Sequence, residues 1–306
     1  MKYFLIPVLL AAGILQVAIG QPQNASTPGK QNGSPVRVLV VAAHPDDEYE
    51  MAGTIYRITK ELGGTVDQVI ITDGEAGYRY SSLAASYYGA DLTDEAVGRA
   101  KLPQIREQEA RNAGRVLGMD HQWFLGERDD HFTLDADEVL QKSWKTQRVQ
   151  DWLVQALRKG HYSVVFVVLP AEDTHGAHKA ATILALRAVE QLPADQRPAI
   201  LGAEAGQKTE VPYQSLSAYP ITATNSPEPQ FHFDRDVHFG FKNSLSYEIV
   251  VDWVIAEHKS QGLFQTLSGQ DRFENFWVFT VNSDSAVARA SHLFGEIAQP
   301  IQAASK

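Results

Sequence analysis

Val38-Leu39-Val40-Val41-Ala42-Ala43-His44-Pro45-Asp46-Asp47-Glu48, residues 38–48, is the stretch whose reading decides the fold. Its first four residues are apolar and three of them β-branched, the pattern of a strand buried on both faces in a parallel sheet. Pro45 has no N–H with which to continue a ladder, so His44, Asp46 and Asp47 fall on a turn beyond the carboxyl end of that strand. Ligands of open α/β sheets gather outside those ends. A lone Asp-Asp pair there would be explained equally well by helix capping, because the pattern from Glu50 to Leu62 is helical and Asp is a favoured N-cap.

A second cluster shifts the balance. Glu172-Asp173-Thr174-His175-Gly176-Ala177-His178 follows another apolar run, Val164-Val165-Phe166-Val167-Val168-Leu169. Two strand ends therefore offer imidazole and carboxylate. A mononuclear zinc site for hydrolysis takes three protein ligands from His, Asp or Glu, leaves a position for water, and needs a nearby carboxylate to accept a proton. The two clusters together contain each part, with Zn expected, one ion per chain, and Fe, Co or Mn left open by the donor types.

Working outward, strand-like stretches at 36–43, 66–72, 121–125 and 163–169 alternate with helical patterns at 50–62, 104–117, 148–159 and 178–190. This order predicts an α/β chain, a Rossmann-like layered fold with a mostly parallel central sheet. From about residue 199 the pattern changes. Strands at 231–233 and 276–281 and a helix at 247–260 are expected to make a smaller β-containing C-terminal part, mixed or antiparallel, beside the site. Between the second strand and the helix at 104, a long loop carries Tyr78, Tyr80, Tyr87 and Tyr88, and a loop of that length in a compact domain is commonly functional. A tyrosine offers a flat apolar face and a hydroxyl, which suits a sugar ring, although such rings also pack loops onto their own domain.

Lys2 is the one charge in the first twenty residues; an apolar run from Tyr3 to Leu15 and then Ala18-Ile19-Gly20 follow it. This pattern predicts a secretory signal peptide at 1–20, a flexible Gln-, Asn- and Ser-rich leader at 21–35, and a single domain over 36–300, secreted or periplasmic and without a permanent membrane span. The chain has no cysteine, so disulfides and thiol chemistry play no part. A formal net charge of −10 disfavours nucleic-acid backbones and anionic membranes as partners.

The His-Pro-Asp-Asp-Glu run at 44–48, the Thr-Asp-Gly-Glu-Ala-Gly run at 72–77, the helix carrying Arg106, Glu109, Ala113 and Leu117-Gly118, and the histidines at 175 and 178 resemble the PIG-L/LmbE-like zinc-dependent N-deacetylases, over roughly residues 36–190. Farther along, His258-Lys259-Ser260-Gln261 looks like that family's His-x-Ser-Gln segment. The resemblance implies that His44, Asp47 and His178 hold the metal, that Asp46 is the general base, that His175 stabilises the oxyanion, and that Arg106 reaches the substrate. Tyr78 and Tyr80 are the expected substrate contacts, and Glu48 and Asp173 the supporting carboxylates. Where the family commonly has His-Pro-Asp-His, this chain has Gly176 and Ala177, so Asp173 or Glu172 is expected to orient His175 in place of the missing aspartate. Glu75 and Asp73 are expected to orient the first cluster or cap a turn, and Asp129 and Asp130 to form a solvated turn or line the pocket. His121, His131, His161, His232, His238, His258 and His292 have no partner at ligand spacing and are expected to be structural or exposed. The implied reaction is removal of acetyl from an N-acetylated amino sugar, free or in a glycan or glycoconjugate. The alternatives are a zinc amidase for a larger N-acyl group and a carbohydrate-binding protein with little catalysis.

Overall fold

The computed structural model describes residues 35–300 apart from Leu263. The expected signal peptide and the expected leader up to residue 34 lie outside the described residues. Within them the chain runs β1 (Arg37–Ala42), α1 (Ala52–Tyr56), β2 (Thr65–Thr72), α2 (Ala85–Tyr88), α3 (Glu95–Leu117), β3 (Gln122–Glu127), α4 (Ala136–Glu138), α5 (Thr146–Gly160), β4 (Val164–Val168), α6 (Gly176–Glu190), β5 (Ala199–Gly206), β6 (Phe231–Asp234), β7 (His238–Phe239), β8 (Leu245–Ser246), α7 (Tyr247–Glu257), β9 (Phe273–Val278) and α8 (Asp284–Ile297).

Seven strands form one sheet in the order β3-β2-β1-β4-β5-β9-β6. The first five are parallel, and β9 and β6 extend the sheet antiparallel from β5. The antiparallel strands expected in the C-terminal part thus join the main sheet, and a separate pair, β7 with β8, remains beside it. Alternation along β1 sends Val38 and Val40 into a core under α1, α7 and α8, while Leu39 and Val41 enter the opposite core under α5 and α6. Helices on both faces explain why the strand is apolar at every position. No helix among the described residues is long and apolar enough to cross a membrane.

Three local expectations are corrected. The helix expected over 50–62 is a composite: a 3-10 turn at Asp47–Met51, the α-turns of α1, and a π segment at Arg57–Glu61. The helix expected from 104 starts at Glu95, capped by Asp94, whose side chain accepts the Val97 N–H. The loop before it is correspondingly shorter and includes a 3-10 turn at Glu75–Tyr80 and α2. β5 is a strand that its composition hides, Ala-Ile-Leu-Gly-Ala-Glu-Ala-Gly, because Gly202 sits where a Cβ would come within 2.8 Å of Leu169 and 3.0 Å of Phe279.

One buried ion pair fastens the antiparallel end of the sheet to the segment behind the first motif. Glu274 on β9 is fully buried and accepts the N–H groups of Gly53 and Thr54 at 2.7 and 2.8 Å, capping α1, and Arg235 donates to it at 2.9 Å. Removing the carboxylate strands a guanidinium that is only 1% exposed, which costs about 3–5 kcal/mol. Glu274→Ala is expected to lower unfolding free energy in urea by that amount; a loss below about 1 kcal/mol would contradict the role given to the pair.

Candidate active site

β1 ends at Ala42 and the chain reverses at once, because the buried Asp47 carboxylate holds the turn closed. Its Oδ2 accepts the Ala43 N–H at 2.6 Å and the His44 N–H at 3.0 Å. Oδ1 is left to face outward. It lies 3.1 Å from His178 Nε2 and 3.6 Å from His44 Nδ1, and those two nitrogens are 3.0 Å apart. Donor atoms of a tetrahedral zinc site with bonds of about 2.0–2.1 Å stand roughly 3.3 Å from one another, so the three atoms fit such an ion.

Each imidazole is fixed from its far side. His44 Nε2 is 3.7 Å from Asp129 Oδ1, and His178 Nδ1 is 2.9 Å from Thr174 Oγ. The tautomers that leave His44 Nδ1 and His178 Nε2 free for an ion put protons on the nitrogens facing Asp129 and Thr174, which is the usual outer support of a metal-bound histidine. Asp129 is therefore no solvated turn: it is 7% exposed and backs the first ligand. Burial by itself would lower the basicity of His44, but Asp129 and then Asp47 overcome this and raise its pKa to about 10. Burial would likewise raise the Asp47 carboxyl, and His178 followed by His44 holds it well below the usual range. A second set sharing His44, formed with Asp129 and His175, also brings three possible donors together.

His175 is oriented by the backbone, which corrects the expectation of Asp173 or Glu172. It is the N-cap of α6, and its Nδ1 accepts the Ala177 N–H at 2.9 Å. The remaining ring proton sits on Nε2. Burial, reinforced by His44 and His178, lowers its pKa to about 3, so the ring is a neutral hydrogen-bond donor. The Gly176-Ala177 departure has a local reason. Gly176 donates its N–H to Thr133 O at 2.7 Å, and a Cβ there would meet the Asp135 carbonyl oxygen at 2.7 Å. Proline could not make that bond.

Asp46 stands outside the donor sets, lines the same cavity and accepts from Arg106 Nη2 at 2.9 Å. Arg106, 3% exposed, also donates to Gly74 O at 2.8 Å. The glycines of the 72–77 run form its bed. At Gly74, with φ +68°, a Cβ would lie 2.5 Å from Arg106 Nη1, and at Gly77 2.7 Å from it. Asp73 caps this turn through the Glu75 N–H, whereas Glu75 pairs with Arg99 and Arg128.

Sequence reasoning missed how the C-terminal part is tied to the motif. Glu48, fully buried, meets His258 Nε2 at 2.7 Å and accepts from Gln68 at 3.1 Å. Glu109 takes the Ser260 N–H at 2.8 Å and its hydroxyl at 2.6 Å. Together they seat Gln261 on the wall of the site. The only signal was the family-like segment at 258–261.

All of this surrounds a cavity of about 440 Å³ lined by His44, Asp46, Asp47, His175 and His178. Tyr78, Tyr80, Arg106 and Asp173 also line it, together with Asp130, His131, Phe132 and Gln261. Tyr88 instead donates to Glu109, and the exposed Tyr87 packs on Tyr88. Phe132, 61% exposed, sets its ring against His175 at 5.0 Å between centroids, an aromatic lip at the mouth.

Residues 39–189 match the family described as PIG-L: GlcNAc-PI de-N-acetylase. The chain is 27% identical over 163 residues to the probable N-acetyl-alpha-D-glucosaminyl L-malate deacetylase 2 of Bacillus cereus, and 26% identical over 162 residues to its counterpart in Bacillus subtilis. These alignments cover 53% of this chain, which spans 65% and 64% of the curated relatives' lengths. Among solved structures, the N,N'-diacetylchitobiose deacetylase of Pyrococcus horikoshii shares the fold, with a TM-score of 0.50 at 21% identity over 78% of this chain and 82% of that one.

The raised pKa of His44 has a measurable consequence. With its pKa raised to about 10 by Asp129 and Asp47, His44 is expected to keep its proton at pH 7 in the metal-free protein, and an ion bound through Nδ1 would displace it. Uptake is expected to release about one proton per ion at pH 7, with apparent affinity rising with pH and the release fading above about 10. Calorimetry in buffers of different ionisation enthalpy gives the count; none released at pH 7 would show His44 already neutral in the metal-free protein and contradict the charge that Asp129 and Asp47 are held to stabilise on it.

Proposed function

Over residues 39–189 the chain belongs to the PIG-L family, and from that premise we propose that it is a secreted, zinc-dependent hydrolase that removes the acetyl group from an N-acetylated amino sugar of the N-acetylglucosamine type. The observation that carries this reading is the convergence of His44 Nδ1, Asp47 Oδ1 and His178 Nε2, beside an Asp46 that takes no part in the cluster. The Bacillus relatives, named as deacetylases of an N-acetylglucosaminyl compound, support the substrate class. Export rests on the apolar run and small residues within 1–20.

A zinc-type ion held by the three donors would supply Lewis acidity, polarising the acetyl carbonyl and acidifying a water. The chain's own groups do the rest. Asp46, held against the cavity wall by Arg106, accepts a proton from the water as its oxygen bonds to the carbonyl carbon. His175 Nε2–H donates to the carbonyl oxygen as that oxygen gains charge, in a site where the donor is already oriented by Ala177. When the C–N bond breaks, the proton on Asp46 passes to the leaving nitrogen, and acetate and a free amine result. The aromatic sides of Tyr78, Tyr80 and Phe132 suit the apolar face of a pyranose, and the cavity is large enough for a sugar and its immediate substituent.

Asp46→Asn keeps the size of the side chain and lies outside the donor set. It is expected to cut amine release from N-acetylglucosamine and its conjugates by about 10²–10⁴-fold while metal stoichiometry stays unchanged. Release at the wild-type rate would remove Asp46 as the base.

A further inference from the structure

A second built cavity lies at the opposite end of the parallel strands, where β1, β2 and β3 begin, roughly 20 Å from the metal donors along the six residues of β1. Its floor is Asp67, a carboxylate 1% exposed near the start of β2. Such a group is tolerated only when its hydrogen bonds are satisfied. Tyr162 donates to it at 2.8 Å and Arg37 at 3.1 Å, and His121 Nδ1 lies 3.0 Å away. Arg37 and His121 are themselves 44% and 66% exposed at the side chain, so the buried carboxylate organises groups that still face solvent.

The wall is aromatic. His121, just before the edge strand β3, and Trp123 within it stack at 5.7 Å with their planes 10° apart, and Trp152 of α5 meets Trp123 edge-on at 5.5 Å. This cavity, of about 360 Å³, shares Trp152 and Gln155 with a neighbouring one of about 520 Å³, so a groove runs along the outer edge of the sheet. At its rim Gln155 and Lys159 are exposed, and no hydrogen bond or ion pair engages either side chain among the described residues.

Half-buried tryptophan surface edged by an amide, an ammonium, a guanidinium and an imidazole, all with free hydrogen-bonding positions, has the chemistry that holds a pyranose: the ring's C–H face lies on indole while its hydroxyls meet the polar rim. We propose that this groove is a second glycan-binding site, which retains a polymeric or oligomeric N-acetylglucosamine-type chain on the protein away from the catalytic cavity. The choice of glycan rests on the deacetylase reading; the site itself does not.

Tryptophan emission tests it, because none of the five tryptophans lines the catalytic cavity and two line the groove. The full-length Asp46→Asn protein, which should leave the ligand intact, is titrated with N-acetyl-chitohexaose. A saturable change in emission is expected, roughly tenfold weaker when Gln155→Ala and Lys159→Ala, both exposed at the rim, are added together. Acetyl release from monomeric N-acetylglucosamine by the same double variant with Asp46 intact should equal wild type. No change in emission up to millimolar ligand, or one that the double variant leaves untouched, overturns the groove. Amine release by wild type in that case leaves the deacetylase reading standing, whereas emission that titrates as expected without any amine release retires the deacetylase reading and keeps the groove.

Discussion

Everything at the end of the sheet that carries the candidate site depends on the two oxygens of one buried carboxylate. Asp47 spends Oδ2 on two backbone N–H groups that would otherwise be unpaired in the reversal after β1, and this leaves Oδ1 fixed toward the two imidazoles. A carboxylate so placed is costly to bury unless cations or donors surround it, and the surrounding groups are the histidines. Closing the turn and building the donor set are thus one arrangement. It also explains how neighbouring aspartates can differ: Asp47 is turned inward by the backbone it binds, and Asp46 is drawn to Arg106 on the cavity wall.

That turn could not stand on local contacts alone, since the composite helix behind it has little regular α-structure. Buried acids on three elements anchor it to distant parts of the chain. Glu48 reaches His258, Glu109 on α3 holds Ser260, and Glu274 on β9 caps α1. The C-terminal part therefore buttresses the first motif as well as extending the sheet. The arginine bed is similar in logic: glycines at 74 and 77 leave room for a guanidinium pressed against the backbone, so a run that looks like a loop signature is a packing requirement for Arg106.

The parallel half of the fold was legible because continuous β-branched runs followed by helical periodicity have few other solutions, and the two polar clusters stood out by falling at strand ends. Less was legible where packing overrides composition. β5 carries Gly202 because Leu169 and Phe279 press on that position, which no local pattern announces. Asp129 looked like half of an exposed acidic pair, and only the folding of the β3 end over His44 reveals it as a support. His175 invited a search for a carboxylate partner, whereas a helix N-cap supplies its orientation, a bond that requires knowing where α6 begins. The pairing of Glu48 with His258 spans 210 residues and has no sequence periodicity to betray it.

The central claim is that the ion sits on the Nδ1 side of His44, with Asp47 and His178, and that Asp129 and His175 on the other side support and assist without ligating. Metal content per chain in His178→Ala and His175→Ala, measured side by side after zinc loading and dialysis, tests this most directly. The account predicts that His178→Ala loses the ion and His175→Ala retains it at wild-type stoichiometry. Retention by His178→Ala with loss in His175→Ala would place the ion in the other set and contradict the account.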